Sequence, residues 1–289
     1  MDHCFPAPAK INLYLRVNGI RPDGMHKLDT AFAYINLCDQ LKVSLSEDIV
    51  VDCSKQHLAG ENNLVHKILS SFKASHGINR GLSIYIEKHI PVQAGLGGGS
   101  SDAATALMVA NRLWNIQADT NELINFATPF GADIPCFLYG QASLAQGIGE
   151  KLVDYPRSLP AGFLLLARPA TGLSTREVFH HFDHALRADN ALTAPKGLDT
   201  IRRDLPMLAE NDLETSACNL NPDVASLLAC MRQYSDRAWM SGSGSACVAL
   251  FDHDASAKKV ATLLKQQRLA DWTHTGCIKS VHPMQQIGT

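Results

Sequence analysis

The chain has 289 residues, of which 46% are hydrophobic and 19% are charged, and its formal net charge is −2. This balance is typical of a folded globular protein, and the length suits one large domain or two lobes. A charge so close to zero excludes the long basic surface that nucleic-acid-binding proteins use, so we expect no nucleic-acid partner. The net charge is still compatible with a local basic pocket for a small anion.

Targeting and redox signals are absent from the sequence. No apolar run approaches the roughly 18 residues that a membrane span needs, so we expect no membrane partner. The first nine residues lack the apolar core of a secretory signal. The eight cysteines contain no C-x-x-C pair, which favours reduced thiols over a disulfide framework. The sequence therefore predicts a cytoplasmic protein.

The first strand is predicted over residues 8–17, P-A-K-I-N-L-Y-L-R-V. Lys10, Asn12 and Tyr14 alternate with apolar residues, so they fall on one face of the strand. A lysine and an asparagine on one face are able to bind a substrate hydroxyl or a phosphate. The alternative is an exposed strand face without a functional role.

A turn follows at residues 21–26, R-P-D-G-M-H, because Pro-Asp-Gly is a strong turn signal. Turn formation alone accounts for much of this segment. Residues 41–45 and 82–86 then alternate apolar and polar side chains, which predicts two half-buried strands.

The second of these strands leads into residues 90–104, I-P-V-Q-A-G-L-G-G-G-S-S-D-A-A. Glycines followed by a helix predict an anion site, because tightly turned N–H groups and the helix N-terminus both attract negative charge. The loop lacks the lysine of a P-loop and the glycine spacing of a dinucleotide fingerprint. We expect Ser100 or Ser101 to cap the helix, with Asp102 in its first turn. The alternative is a flexible turn.

A single carboxylate, Asp133, stands among small and apolar residues in G-A-D-I-P-C-F, residues 131–137. Such an aspartate is either a helix cap or a partly buried functional group. Thr120 opens the helix that precedes it.

Residues 155–160 have the composition of a linker, and we expect two α+β lobes that meet near residue 157, with a substrate cleft between them. The domains would then be 1–157 and 158–289. Further strands are predicted at 162–167, 246–251 and 277–281, and helices around 224–231 and 260–264.

Two later segments have candidate chemistry. Residues 180–184, H-H-F-D-H, place two histidines one helical turn apart, but no matching ligand set accompanies them, so a polar helix face is favoured over a metal site. Residues 241–245, S-G-S-G-S, are flanked by apolar residues. Those flanks weaken the alternative of a mobile linker, because a buried loop needs partners for its backbone.

Five of these segments, taken together, resemble the GHMP kinases: residues 8–15, 21–26, 90–104, 131–137 and 241–246. The resemblance implies a two-lobed α+β fold whose active site lies in the cleft between the lobes. It implies ATP and Mg²⁺ as cofactors and a small-molecule alcohol substrate, a methylerythritol linked to cytidine diphosphate. A monomer or a homodimer is expected.

The resemblance also implies roles for individual residues. Asp133 would be the catalytic base and Lys10 its partner. Ser101 is a candidate contact for Mg²⁺. The residues expected to bind ATP are Lys88, Pro91, Gly95, Leu96, Gly97, Gly98, Gly99, Ser100 and Ser101, with Asn62, Asn63, Leu64 and Lys88 near the adenine. Those expected to bind the substrate are Asn12, Met25, His26 and Phe179, while Gly242, Ser243, Gly244 and Ser245 would close the site.

One position departs from the family pattern, since Met25 stands where a tyrosine usually precedes His26. A thioether also packs against aromatic rings, which is worth about 0.3–1.5 kcal/mol. We therefore expect altered cytosine stacking rather than lost function. Two other functions stay open: a kinase for another alcohol, and a nucleotide sensor without catalysis.

Overall fold

The computed structural model describes residues 3–22, 24–189 and 209–286. The predicted α+β class is confirmed: two sheets and the helices packed on them make up the described chain. Asp23, within the predicted turn, lies outside the described residues. Of its described neighbours, Gly24 donates its N–H to the carbonyl of Arg21 at 2.9 Å.

The first sheet has seven strands. Its order is β3-β4-β2-β5-β6, and β1 and β11 also pair with β2. All its pairings are antiparallel except β3 with β4. The strands are β1 (His3–Ile20), β2 (His26–Ser46), β3 (Val50–Cys53), β4 (Gly81–Glu87), β5 (Ser143–Gly147), β6 (Lys151–Asp154) and β11 (Ile278–Lys279).

The second sheet has four antiparallel strands in the order β10-β7-β9-β8. They are β7 (Phe163–Arg168), β8 (Ala238–Met240), β9 (Cys247–Phe251) and β10 (Trp272–Gly276). The predicted strands at 162–167 and 246–251 are thus confirmed within one residue. β10 was not predicted. Of the strand predicted at 277–281, only the two residues of β11 are observed.

Eight α-helices are present in the described part of the chain. They are α1 (Leu64–Ser75), α2 (Gly98–Leu113), α3 (Thr120–Ala127), α4 (Ile134–Tyr139), α5 (Thr175–Asp189), α6 (Glu214–Leu220), α7 (Pro222–Arg232) and α8 (Asp254–Gln266). Thr120 opens α3 as predicted, and none of the described helices has the length and apolar character that a bilayer span requires.

Strand β1 is buried on both faces from Ala7 to Leu15, so the predicted exposed face does not exist. Ile11 and Leu13 pack in one cluster with Leu164 and Trp239, which belong to the second sheet. The opposite face of β1 carries Lys10 and Asn12, which are only 3% exposed. Burying polar side chains requires partners for them, and these partners form the site described next.

The predicted boundary near residue 157 falls between β6 and β7, that is, between the two sheets. The chain crosses back after β10, because β11 pairs with β2 and Met284 joins the core of the first sheet. The division into 1–157 and 158–289 stays a prediction.

Candidate active site

The glycine-rich segment turns sharply before α2. Gly95 and Gly97 have φ angles of +74° and +70°, a left-handed conformation that other residues rarely adopt. A Cβ atom at Gly95 would lie 2.3 Å from the carbonyl oxygen of Ser241. Only glycine fits this position, which confirms that the loop is a built turn and not a flexible one.

Helix α2 begins at Gly98, and its N-cap is Gly97 without a side-chain cap. The prediction that Ser100 or Ser101 caps the helix is therefore wrong, and Asp102 lies in the second turn, not the first. Because no side chain caps this end, the first N–H groups of α2 lack the side-chain acceptor that an N-cap supplies. This arrangement suits an anion at the helix start, as the glycine pattern predicted.

The second glycine–serine segment packs directly on the first. Residues 241–245 are all buried, and Ala246 donates its N–H to the carbonyl of Ala94 at 3.1 Å. Ser243 also pairs with the hydroxyl of Thr175 at 2.8 Å. The mobile-linker alternative is wrong, because this loop is buried against the glycine loop. The predicted role of Gly242, Ser243 and Gly244 in closing the site stays a prediction.

Lys10 and Asp133 come together beside the glycine loop. The ammonium of Lys10 lies 3.5 Å from the Asp133 carboxylate and donates to the Asn12 side-chain oxygen at 2.6 Å. Asp133 occupies the N-cap position of α4, yet its side chain makes no capping hydrogen bond. The capping alternative is therefore wrong, whereas the role of Asp133 in catalysis stays a prediction. The carboxylate is 37% exposed, so an incoming molecule can reach it.

Asn12 is held rigidly between the two sheets. Its side-chain amide donates to the Thr30 hydroxyl at 2.8 Å, and its backbone N–H donates to the Ser241 hydroxyl at 3.2 Å. The indole of Trp239 donates to its carbonyl at 2.8 Å. These contacts hold the side-chain oxygen of Asn12 against Lys10, so the ammonium is aimed at Asp133.

A cavity of about 420 Å³ runs along the glycine loop. It is lined by the predicted ATP residues Lys88, Pro91 and Gly95 to Ser100, and by Asn62, Asn63 and Leu64. Asp133 also lines it, whereas Lys10 lies behind Gly97, whose Cβ position is 3.1 Å from the Lys10 Cγ atom. Ser101 is fully buried and is not among the lining residues.

Residues that were not predicted to bind ATP or substrate also line this cavity. They are His57, Leu58, Ala59, Val92, Gln93, Ala94, Asp102 and Thr175. The available signals were weak: Asp102 follows the serines of the loop, and Thr175 begins the helix that carries Phe179.

Lys88 is held by two buried carboxylates. Its ammonium donates to Asp39 and, at 2.6 Å, to Asp102, and none of these side chains is more than 5% exposed. Burial lowers the pKa of Lys88, but attraction to Asp102 and Asp39 outweighs this effect and raises it overall. Lys88 therefore stays protonated, and its charge is balanced within the protein.

The predicted substrate residues His26 and Phe179 also meet. Their rings stack with centroids 4.3 Å apart, and His26 Nε2 lies 2.7 Å from a carboxylate oxygen of Asp183. Asp183 follows Phe179 by one helical turn in α5, and its role was missed because H-H-F-D-H drew attention to the histidines. Met25, beside His26, is 45% exposed. None of these four residues lines the cavity at the glycine loop.

Two histidines of α5 lie one helical turn apart. His180 and His184 contact each other at 3.3 Å, and no group of three metal-ligating side chains occurs among the described residues. The preference for a polar helix face over a metal site stays a prediction.

Comparison with known proteins adds independent information. The profile of the GHMP kinases N terminal domain matches residues 63–141, and that of the GHMP kinases C terminal domain matches residues 186–268. Proteins named 4-diphosphocytidyl-2-C-methyl-D-erythritol kinase are similar over nearly the whole chain. The protein from Ralstonia nicotianae is 38% identical, covering 89% of this chain and 88% of its own. The protein from Cupriavidus metallidurans is 34% identical, covering 96% and 94%.

Solved structures show the same relationship. A crystal structure of 4-(cytidine 5'-diphospho)-2C-methyl-D-erythritol kinase has a TM-score of 0.78 and 31% identity, covering 96% of this chain and all of its own. A homoserine kinase from Cytophaga hutchinsonii has a TM-score of 0.69 at 17% identity, covering 97% and 96%, and so shares the fold.

Proposed function

The chain belongs to the GHMP kinases, and on this basis we propose its reaction and the residues that perform it. The protein transfers the γ-phosphoryl group of ATP to the 2-hydroxyl of 4-diphosphocytidyl-2-C-methyl-D-erythritol. The products are the 2-phosphate and ADP, in the methylerythritol phosphate route to isoprenoid precursors. The observation that carries the proposal is the Lys10–Asp133 pair beside an uncapped, glycine-lined helix start.

The glycine loop and the start of α2 bind the phosphates of ATP. Phosphoryl transfer depends mainly on positioning and on charge stabilisation, and fixed N–H groups supply both. Gly97 to Ser100 line the cavity where these groups point, so the phosphate chain lies along them. The loop carries no lysine, and the nearby Lys88 is already balanced by Asp39 and Asp102. Positive charge near the transferred group therefore comes from Lys10.

Asp133 accepts the proton of the attacking hydroxyl. Only a carboxylate in its ionised form is able to take this proton, and the Lys10 ammonium at 3.5 Å is the positive charge with which that form pairs. As the hydroxyl loses its proton, its electron pair forms the new bond to phosphorus and the bond to the ADP oxygen breaks. Lys10 then stabilises the negative charge that develops near the transferred group.

Mg²⁺ fits this end of the cavity. Ser100 and Asp133 offer oxygen atoms that line it, and Mg²⁺ is usually held by one or two protein oxygens together with phosphates. The ion would neutralise phosphate charge. The hydroxyl of Ser101 is buried without a partner among the described residues, so its predicted contact with Mg²⁺ depends on a local opening.

The cytidine end of the substrate is assigned to His26, Phe179 and Met25. The stacked pair of His26 and Phe179 presents aromatic surface, and Asp183 fixes the orientation of the imidazole. Asn12 lies on the same strand as Lys10 and is assigned to the cytidine diphosphate part of the substrate.

A coupled ADP-release assay with a panel of alcohols tests the proposal. We expect ATP consumption that depends on the cytidine-linked substrate and not on homoserine or mevalonate. Turnover of either of these alcohols at a comparable kcat/KM would contradict the proposed substrate. Absence of alcohol-dependent turnover with intact ATP binding would instead support a nucleotide sensor.

A further inference from the structure

Three ionisable side chains form a buried cluster beside the glycine loop: Lys88, Asp39 and Asp102. They come from different elements, since Asp39 lies in β2, Lys88 follows β4 and Asp102 lies in α2. With one ammonium and two carboxylates, the cluster carries more negative than positive charge when both acids are ionised. It lies next to a cavity that must accept the highly negative ATP, so its position restricts how ATP lies there.

Every charged oxygen of this cluster has a partner except one. Asp39 Oδ1 accepts the N–H groups of His89 at 2.6 Å and Ile90 at 2.8 Å, and its Oδ2 accepts from Lys88. Asp102 Oδ2 also accepts from Lys88. Asp102 Oδ1 is buried and has no partner among the described residues. The residue is only 3% exposed, and it is one of those that line the cavity. An unpaired buried carboxylate oxygen is costly, which points to a donor from outside the protein.

The start of α2 separates the two ends of the cavity. Asp102 lies one turn after Gly98, so both are on the same face of the helix. A Cβ on Gly98 would lie 3.4 Å from the Lys88 ammonium, which places that face against the cluster. Ser100 points the other way, with its hydroxyl 3.9 Å from the Cβ position of Gly131. Asp133 lies close to Gly131 in the chain. The Lys10–Asp133 pair and the Lys88 cluster are therefore on opposite sides of the helix start.

Charge decides which half of ATP lies at which end. In its ionised form the Asp102 carboxylate repels phosphate, whereas a neutral group with an N–H or O–H pairs with it. The phosphates belong at the helix tip and toward Asp133, so the uncharged nucleoside extends toward Asp102.

We propose that Asp102 recognises the nucleoside half of ATP, with its Oδ1 accepting a hydrogen bond from the adenine amino group or a ribose hydroxyl. The proposal deepens the proposed function and rests on ATP being the phosphoryl donor. Asp102 is thus a specificity-determining residue, and Lys88 positions it.

The titration of the cluster supports this role. Burial raises the pKa of Asp102, with Lys88 opposing the rise and the Asp39 charge adding to it. A donor on Oδ1 favours the ionised carboxylate, so binding displaces a proton from the cluster. ATP affinity should therefore rise as the pH increases through the titration of the cluster, with proton release that calorimetry detects as a dependence on buffer ionisation enthalpy.

Calorimetric titration of the full chain with four nucleotides is the test. Inosine triphosphate replaces the adenine amino group of ATP with a carbonyl oxygen and carries a hydrogen on N1, whereas 2'-deoxyATP and 3'-deoxyATP each lack one ribose hydroxyl. We expect wild type to bind one of the three analogues at least about tenfold more weakly than ATP, because the missing donor leaves Asp102 unpaired. The weak analogue identifies the group that is read. Equal affinities for all four nucleotides would overturn the proposal without any variant.

Asp102→Asn provides the second arm. Lys88 attracts the amide oxygen, so the amide NH₂ faces the cavity and a donor replaces the acceptor. The preference for ATP over the weak analogue should then fall by about tenfold. If the variant weakens all four nucleotides by one common factor, the role in recognition is refuted. Asp119→Asn is the control, because an asparagine still caps α3 and the residue lies outside the cavity, so the ratios of affinity should stay unchanged.

The two proposals fail in different ways. Normal nucleotide discrimination without alcohol-dependent turnover would refute the proposed reaction and leave the role of Asp102 intact. If turnover is normal but Asp102→Asn leaves the ratios of nucleotide affinity unchanged, the role of Asp102 is refuted and the proposed reaction is left intact.

Discussion

The Lys10 ammonium lies 3.5 Å from the Asp133 carboxylate, although one residue is in the first strand of the chain and the other precedes the fourth helix. The two side chains differ sharply in burial, at 3% and 37% exposed. A buried cation that faces a reachable carboxylate suits proton transfer, because the Asp133 carboxylate is able to contact the substrate while the Lys10 ammonium stays fixed.

Replacing Asp133 with Asn should abolish most catalysis while the fold is kept. General base catalysis contributes roughly 10²–10⁴-fold, so we expect kcat to fall by that factor. Coupled ADP release measures the rate, and circular dichroism checks the fold. Asp119→Asn is the matched control, because an asparagine still caps α3 and the residue lies outside the site. A variant at Asp133 with near wild-type turnover would remove this residue from the role of base.

Lys10→Met should lower kcat by about 10²-fold, since the transition state loses a fixed positive charge. The change also leaves the Asn12 oxygen without the donor that now lies at 2.6 Å. Steady-state kinetics with both substrates would show the loss. Lys42→Met removes an exposed ion pair with Glu87 and serves as the comparison. Equal kcat values for the two variants would contradict a catalytic role for Lys10.

Gly95→Ala should destabilise the protein and impair ATP binding together. The new Cβ would lie 2.3 Å from the Ser241 carbonyl oxygen, and the φ of +74° alone costs about 1–2 kcal/mol for a residue with a side chain. Thermal unfolding and ATP titration measure the two effects. Gly99→Ala meets no atom within 4 Å and lies inside α2, so it should keep the thermal stability. An unchanged melting temperature for Gly95→Ala would be the contrary result.

Acid should destabilise the protein in part through His282. This residue is fully buried against the rings of Tyr34 and Phe137, and burial lowers its pKa to about 3. Below a pH of about 6.5 the unfolded chain binds a proton that the folded chain refuses, so stability falls as pH decreases from 6.5 toward 3.

The contribution of His282 to this slope approaches about 1.4 kcal/mol per pH unit. His282→Gln should remove it in urea unfolding measured between pH 4 and pH 7. The same exchange at the exposed His253 controls for the loss of one imidazole. A slope that is identical in wild type and in His282→Gln would show that the buried imidazole does not titrate in this way.

Met25→Tyr should lower the KM for the cytidine-linked substrate by a few fold. Aromatic pairs contribute about 0.5–1.5 kcal/mol, somewhat more than a thioether on a ring, and Met25 is exposed beside the stacked His26 and Phe179. The KM for ATP serves as an internal control and should stay constant. A rise in the substrate KM would place Met25 away from the cytosine.

Much of the fold was predictable because its signals are local. The alternation at 82–86 and the helical spacing after the glycine loop depend only on neighbouring residues, and both elements appear as expected. The errors also have local causes. Serines after glycines look like an N-cap, but Gly97 takes that position because a left-handed turn is needed there. Strand β1 looked half-exposed, because the sequence does not show that helices and a second sheet cover both faces.

The sequence alone predicted an anion site at a glycine-lined helix start, and the resemblance of five segments to the GHMP kinases implied a lysine and an aspartate as the catalytic pair. Tertiary structure decided which partners these groups have. Asp133 turns to Lys10 and does not cap its helix, and Lys88 is neutralised by Asp39 and Asp102. His26, at the start of β2, stacks on Phe179, which lies far along the chain in α5. The type of each residue and its neighbours can be read from the sequence, whereas burial and charge pairing depend on contacts between segments that are distant in the chain.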